Sequence, residues 1–193
     1  MIFLYDNLNW MFFNLMLAFL PLILVHFLRK KLNPPIHLVL LFLWLIFLPN
    51  TIYLVTDVEY LPYQIFRTGY YEQALLFIEY GLLAAFGVYS YLYSLEPIEL
   101  VIKKLKVKKG NENVFYIVLH FLVAFAVVMG KVQRTHSWYI FTDPLRVVSD
   151  AIKTLSASDL LFWIFFCGVV INGFFFVFKK YFPVFVSKRK RKK

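Results

Sequence analysis

Residues 47–62 read FLPNTIYLVTDVEYLP, and the fold turns on how this stretch is read. It begins inside an apolar run, is interrupted at Pro49-Asn50, and ends in Thr56, Asp57 and Glu59. Proline removes a backbone donor and bends a helix, and a neighbouring amide can satisfy the carbonyl that is freed. A helix with proline and asparagine inside and acid at its mouth suggests a site as well as a packing element.

Outward from that stretch the chain is apolar almost throughout. Of its 193 residues, 61% are hydrophobic and 21% aromatic, well above the roughly 45–50% apolar content of soluble domains. Mean hydropathy is +0.69. A spanning helix needs about 20 mostly apolar residues. Five runs meet that length, at about 8–28, 36–55, 73–95, 113–132 and 159–178. A backbone in hydrocarbon must satisfy its own hydrogen bonds, so these are helices. The expected fold is an all-α membrane protein, a bundle of five transmembrane helices forming one domain over 1–193. The first run lacks a positive leader and a small-residue cleavage pattern, so it is expected to be a retained helix. The single cysteine, Cys167, lies in an apolar run and can form no intrachain disulfide.

The net charge of +10 does not indicate nucleic acid, because the basic residues flank apolar runs instead of covering one face. Residues 29–31, 103–109 and 179–193 hold most of the 21 Lys and Arg, while the alternate connections hold only Arg67, Lys131, Arg134, Arg146 and Lys153. The positive-inside rule then predicts an outer N-terminus and a cytoplasmic C-terminus, which five spans also require. The tail 179–193, ending KRKRKK, is expected to attract anionic inner-leaflet headgroups or to act only as an orientation anchor. Two connections carry the pattern of interfacial amphipathic helices. Ile98, Val101, Ile102 and Leu105 oppose Lys103, Lys104 and Lys106 after Pro97. Asp143-Pro144 reads as N-cap and first helical position before a stripe of Leu145, Val148, Ile152 and Leu155. The second could equally cap the outer mouth of the bundle.

Polar groups gather on the predicted outer side, where Asp57, Glu59 and Glu72 stand opposite Lys131, Arg134 and His136 of GKVQRTHSW. Glu79 lies seven residues beyond Glu72, hence about 10 Å deeper at about 1.5 Å per residue. An ionisable group inside a span needs a partner, water or the bundle interior, and is a functional candidate. Its expected partners are Lys131 or Arg134, which share a helical face with His120. The same pair could serve only to fix helix register. Asn9, Asn14 and Asn172 are expected to bond between helices, and Gly81 with Ala85 to form a small-xxx-small contact. Tyr53, Tyr60, Tyr63, Tyr70, Tyr71, Trp138 and Tyr139 form an expected outer aromatic belt. No nucleophile elbow, zinc-protease motif, P-loop or CxxC is present, and no cofactor or metal is expected.

LPNTIYLVTDVEYL, followed much later by GKVQRTHSW, resembles the bacterial integral membrane family catalogued as domain of unknown function 1361. The family pattern is met at Leu48, Pro49, Asn50, Tyr53, Thr56 and Asp57, with Tyr60 where a histidine is usual. In the second motif Gly130, Arg134, Ser137 and Trp138 match, while Lys131 stands for arginine, His136 for asparagine and Tyr139 for aspartate. The resemblance implies a multi-pass protein of the bacterial cytoplasmic membrane and supplies no activity. The candidate outward-facing site is Asn50, Tyr53, Thr56, Asp57, Glu79, Lys131, Arg134, His136 and Trp138. The favoured reading is a protein that binds an envelope lipid headgroup or a partner membrane protein there. The alternatives are an enzyme acting on a phosphate-containing lipid, with Asp57 or Glu79 as acid or base, and a small proton-coupled transporter using Glu79.

Overall fold

A computed structural model describes residues 2–30, 32–108 and 111–181. Every regular element among them is a helix. Five helical stretches are long and apolar enough to cross a membrane: Asn9–Leu28, Pro34–Ile65, Tyr70–Glu99, Glu112–Gln133 and Ser158–Lys179. The protein is an all-helical, multi-pass membrane protein. Most of the basic tail, from residue 182 on, lies outside the described residues. The helices fall into two compact units, residues 1–104 and 105–193.

The first unit is built around the bend at Pro49. Helix α1 (Ile2–Leu28) packs against α2 (Pro34–Phe47), α3 (Pro49–Thr56) and α5 (Tyr70–Ser94). Leu48 joins α2 to α3 with helical dihedrals, and its N–H still reaches Trp44 O at 2.9 Å. Three residues later the pattern tightens, because Thr51 N–H donates to Leu48 O at 3.2 Å instead of to Phe47 O. The Asn50 side-chain amide takes up the vacated Phe47 carbonyl at 3.0 Å. The Thr51 hydroxyl donates to Leu48 O at 2.8 Å. Proline and asparagine thus bend the helix and repair the bend, as the sequence predicts.

At its far end α3 tightens into a 3-10 turn (Asp57–Tyr60), followed by α4 (Leu61–Ile65) and then α5. The Thr56 hydroxyl donates back to Tyr53 O at 2.9 Å, just where this tightening starts. The core joins Met11 and Ala18 of α1, Leu54 of α3, Leu61 of α4, and Leu76, Tyr80 and Leu83 of α5. The close approach of α3 to α5 depends on Gly87. A Cβ there would lie 2.7 Å from Thr51 O and 2.9 Å from Leu54 Cβ. The small-xxx-small contact expected at Gly81 and Ala85 does not form among the described residues. Both are exposed, and nothing lies within 4 Å of a Cβ built on Gly81. The tight contact sits on the opposite side of the same helix. Beyond α5, α6 (Glu96–Lys104) carries Pro97 in its first turn and buries Ile102. Arg29, just past α1, grips Glu96 with Nε at 3.0 Å from each carboxylate oxygen.

The second unit pairs α7 (Glu112–Gln133) with α10 (Ser158–Tyr181), with α8 (Tyr139–Thr142) and α9 (Pro144–Ser156) between them in sequence. Gly168 of α10 lies against the Phe121 ring, leaving no room for a Cβ. Asn172 donates to Gly168 O at 2.7 Å and meets His120 Nδ1 at 2.9 Å. The amide oxygen is the acceptor, so His120 carries its proton on Nδ1. Asn172 therefore bonds between helices, as expected. Asn14 does so too, whereas Asn9 is exposed and plays no such part.

Helix α9 begins as its sequence predicts. Asp143 is the N-cap, accepting from Arg146 N–H at 3.2 Å, and Pro144 follows at the first position. It has three distinct sides. Asp150 and Thr154 are buried against the rest of the unit. Leu145, Val148, Ile152 and Leu155 form an exposed apolar stripe, with Leu145 82% exposed. Arg146, Ser149 and Lys153 form a third, polar flank.

Candidate functional site

In the first unit two of the candidate residues, Asp57 and Glu79, belong to a polar layer that joins α1 to the 3-10 turn, α4 and α5. Asp57 is buried, at 3% exposure, and accepts from Asn14 Nδ2 at 2.9 Å. Glu79 accepts from Asn7 Nδ2 at 3.3 Å. Asn7 and Gln64 form a reciprocal amide pair at 2.9 and 2.8 Å. Trp10 Nε1 donates to Asn7 Oδ1 at 3.2 Å, and the Tyr80 hydroxyl donates to Gln64 Oε1 at 3.3 Å. Both donors and both acceptor positions of Asn7 are thereby used. Such bonds between membrane helices contribute about 0.6–2 kcal/mol each, so the layer fixes register firmly. Asn50 and Thr56 serve the backbone, as described above, and Tyr53 is half-buried on α3.

Asn7 and Gln64 are absent from the sequence-based candidates. A signal for Asn7 was present: it precedes Asn14 by seven residues, two turns on one face of α1, so each amide meets one acid. Gln64 had no comparable mark, since it lies in the short helix α4, whose path after the 3-10 turn the sequence does not fix.

In the second unit Thr135, just after α7, and Arg146 and Lys153 of α9 gather around Asp150. Lys131 is half-buried in the last turn of α7. The helix stops at Gln133, and Arg134 turns left-handed at φ 55°, ψ 36°. Arg134 therefore leaves the face of His120 and Lys131 on which helical spacing had placed it. Thr135 comes next and donates its hydroxyl to Asp150 Oδ2 at 2.6 Å. The same carboxylate has Arg146 Nε at 3.6 Å from Oδ2 and Lys153 Nζ at 3.6 Å from Oδ1. His136 stacks on Trp138, with centroids 4.3 Å apart and planes 6° apart. Tyr139 has the His136 ring at 5.1 Å on one side and the Arg146 guanidinium 4.6 Å from its centroid.

The electrostatics follow from this arrangement. Partial burial of the ring, then Arg146 and Arg134, lower the pKa of His136, so the imidazole is neutral at pH 7. The Thr135 hydrogen bond, reinforced by Lys153 and Arg146 and opposed by desolvation, lowers the pKa of Asp150. The carboxylate is a fixed negative charge among several positive ones. Among the described residues no three His, Cys, Asp or Glu side chains gather closely enough to hold a metal ion.

Apart from Asn7 and Trp10, both groups of residues lie inside a longer match. Residues 13–172 match the family described as protein of unknown function (DUF1361). The chain belongs to DUF1361. No curated protein and no solved structure matches it. The DUF1361 match takes in the bend at Pro49, the left-handed turn at Arg134 and the whole of α9, and it ends at Asn172, the partner of His120. Arg146, Asp150 and Lys153 of this DUF1361 chain are absent from the sequence-based candidates, although they recur at spacings of four and three on one flank of α9.

Proposed function

We propose that this DUF1361 protein binds the phosphate-bearing headgroup of a membrane lipid at the turn between α7 and α9. The supporting observation is the juxtaposition on α9 of an exposed apolar stripe with a flank where Arg146 and Lys153 meet Asp150 and the Arg134–Tyr139 turn. One side of α9 packs on its own unit, so the stripe and the basic flank point in different free directions. That is the arrangement of a helix in the headgroup layer, with Leu145, Val148, Ile152 and Leu155 toward the acyl chains.

Magnitudes divide the roles. Burying four such side chains contributes roughly 1.5–3 kcal/mol each at the fully buried limit. A cation near an anionic surface contributes only about 1 kcal/mol. The apolar stripe therefore seats the helix, and the cations select the headgroup.

The charge distribution further supports an outer N-terminus, a cytoplasmic basic tail and this site on the outward side of a bacterial cytoplasmic membrane. The binding reading is tested by lipid analysis of protein purified in mild detergent. An anionic phospholipid should be retained by the native chain and lost from the double variant Arg134→Ala, Arg146→Ala. Equal retention by both would refute the reading.

A further inference from the structure

The cluster around Asp150 also carries information on the charge of its ligand. Asp150 has both oxygens engaged, Oδ2 by Thr135 and Arg146 and Oδ1 by Lys153. It can offset only one positive charge. Arg134, Arg146 and Lys153 together exceed it by two, while His136 stays neutral at pH 7. Arg134 makes no hydrogen bond or ion pair among the described residues. The closest approach of Arg146 to Asp150 is by Nε at 3.6 Å, the side of the guanidinium away from its terminal nitrogens, which suit a forked contact with phosphate oxygens.

We infer that the ligand is a dianionic phosphate, a phosphomonoester at the end of a lipid, held by Arg134 and Arg146 beside His136. This rests on the lipid-binding reading above and narrows it. A phosphomonoester carries about −1.5 to −2 at neutral pH, matching the surplus, whereas a phosphodiester carries a single charge. Asp150 is a positioning residue. It ties the start of the turn, through Thr135, to the two basic side chains of α9, so the cations are held in place before any ligand arrives. Such preorganisation favours binding by reducing the ordering cost. The left-handed backbone at Arg134 points the same way. An L side chain there is strained, and strained positions that persist cluster at ligand sites.

The test uses the full chain in detergent, titrated with dioctanoyl phosphatidic acid, dioctanoyl phosphatidylglycerol, dioctanoyl phosphatidylcholine and inorganic phosphate. It is run at about pH 8, where a monoester is fully dianionic. Phosphatidic acid should bind about tenfold or more tighter than phosphatidylglycerol, a difference of about 1.4 kcal/mol. Phosphatidylcholine should bind weakest of the lipids, and inorganic phosphate should compete only weakly. Arg134→Gly, which suits the left-handed turn and so folds, should abolish the preference for phosphatidic acid. Equal affinity for phosphatidic acid and phosphatidylglycerol, both lost in Arg134→Gly, would overturn the dianion and leave the headgroup reading standing. Inorganic phosphate competing as well as phosphatidic acid would overturn the lipid source. No binding of any lipid would overturn the headgroup reading itself.

Discussion

Arg134 is the residue at which stability and the proposed binding pull apart. Glycine is favoured in the left-handed conformation that ends α7, and arginine there is strained. Arg134→Gly should therefore raise the melting temperature, by a stabilisation of about 1 kcal/mol, while weakening headgroup binding. A lower melting temperature would mean that the guanidinium contributes to folding. His136 gives a second expectation. Its pKa is depressed in the free protein, and a bound anion must raise it. Affinity should rise as pH falls through the bound-state pKa and level off below the free-state value. Phosphatidylglycerol is the proper probe, since its diester does not titrate in this range. His136→Gln should flatten the profile, and an unchanged slope would place the titrating group elsewhere. Neither residue could be understood from spacing alone. The left-handed turn that moves Arg134 off the face of α7 follows from where the helix stops, and nothing in QRTHS announces that point.

At the scale of elements, the contact of α3 with α5 is set by one glycine. Gly87→Ala would drive a Cβ against Thr51 O, a backbone atom that cannot yield cheaply, and should cost about 1–3 kcal/mol. Gly81→Ala, in open space, should be neutral or stabilising by about 0.5–1 kcal/mol. Thermal unfolding of the two variants checks the pair, and equal melting temperatures would contradict the close approach. For α9, Asp150 has a depressed pKa, so the stability it provides is present above its ordinary unfolded pKa and is lost as pH falls through the lower folded value. Asp150→Asn should remove that acid-dependent loss. The elements themselves were largely legible. Five apolar runs, the Pro49-Asn50 bend and the Asp143-Pro144 cap all follow from local chemistry. What local chemistry does not hold is which small residue meets a neighbour. Gly81 and Gly87 look alike in sequence and differ only in what faces them.

For the whole molecule, the proposed outward placement of α9 follows from charge asymmetry between connections and can be checked directly. In a Cys167→Ser background, Ser149→Cys on the polar flank of α9 should react with an impermeant maleimide added to intact cells. Labelling only after the cells are opened would invert the topology. The turn after α7 and the basic flank of α9 are proposed to hold a lipid phosphate. A photoactivatable phosphatidic acid, crosslinked to the native protein in bilayers and mapped by mass spectrometry, tests this most directly. Crosslinks should concentrate in peptides spanning 131–156 and fall sharply in the double variant Arg134→Ala, Arg146→Ala. Crosslinks spread evenly over all the spans, and unchanged in that variant, would contradict it.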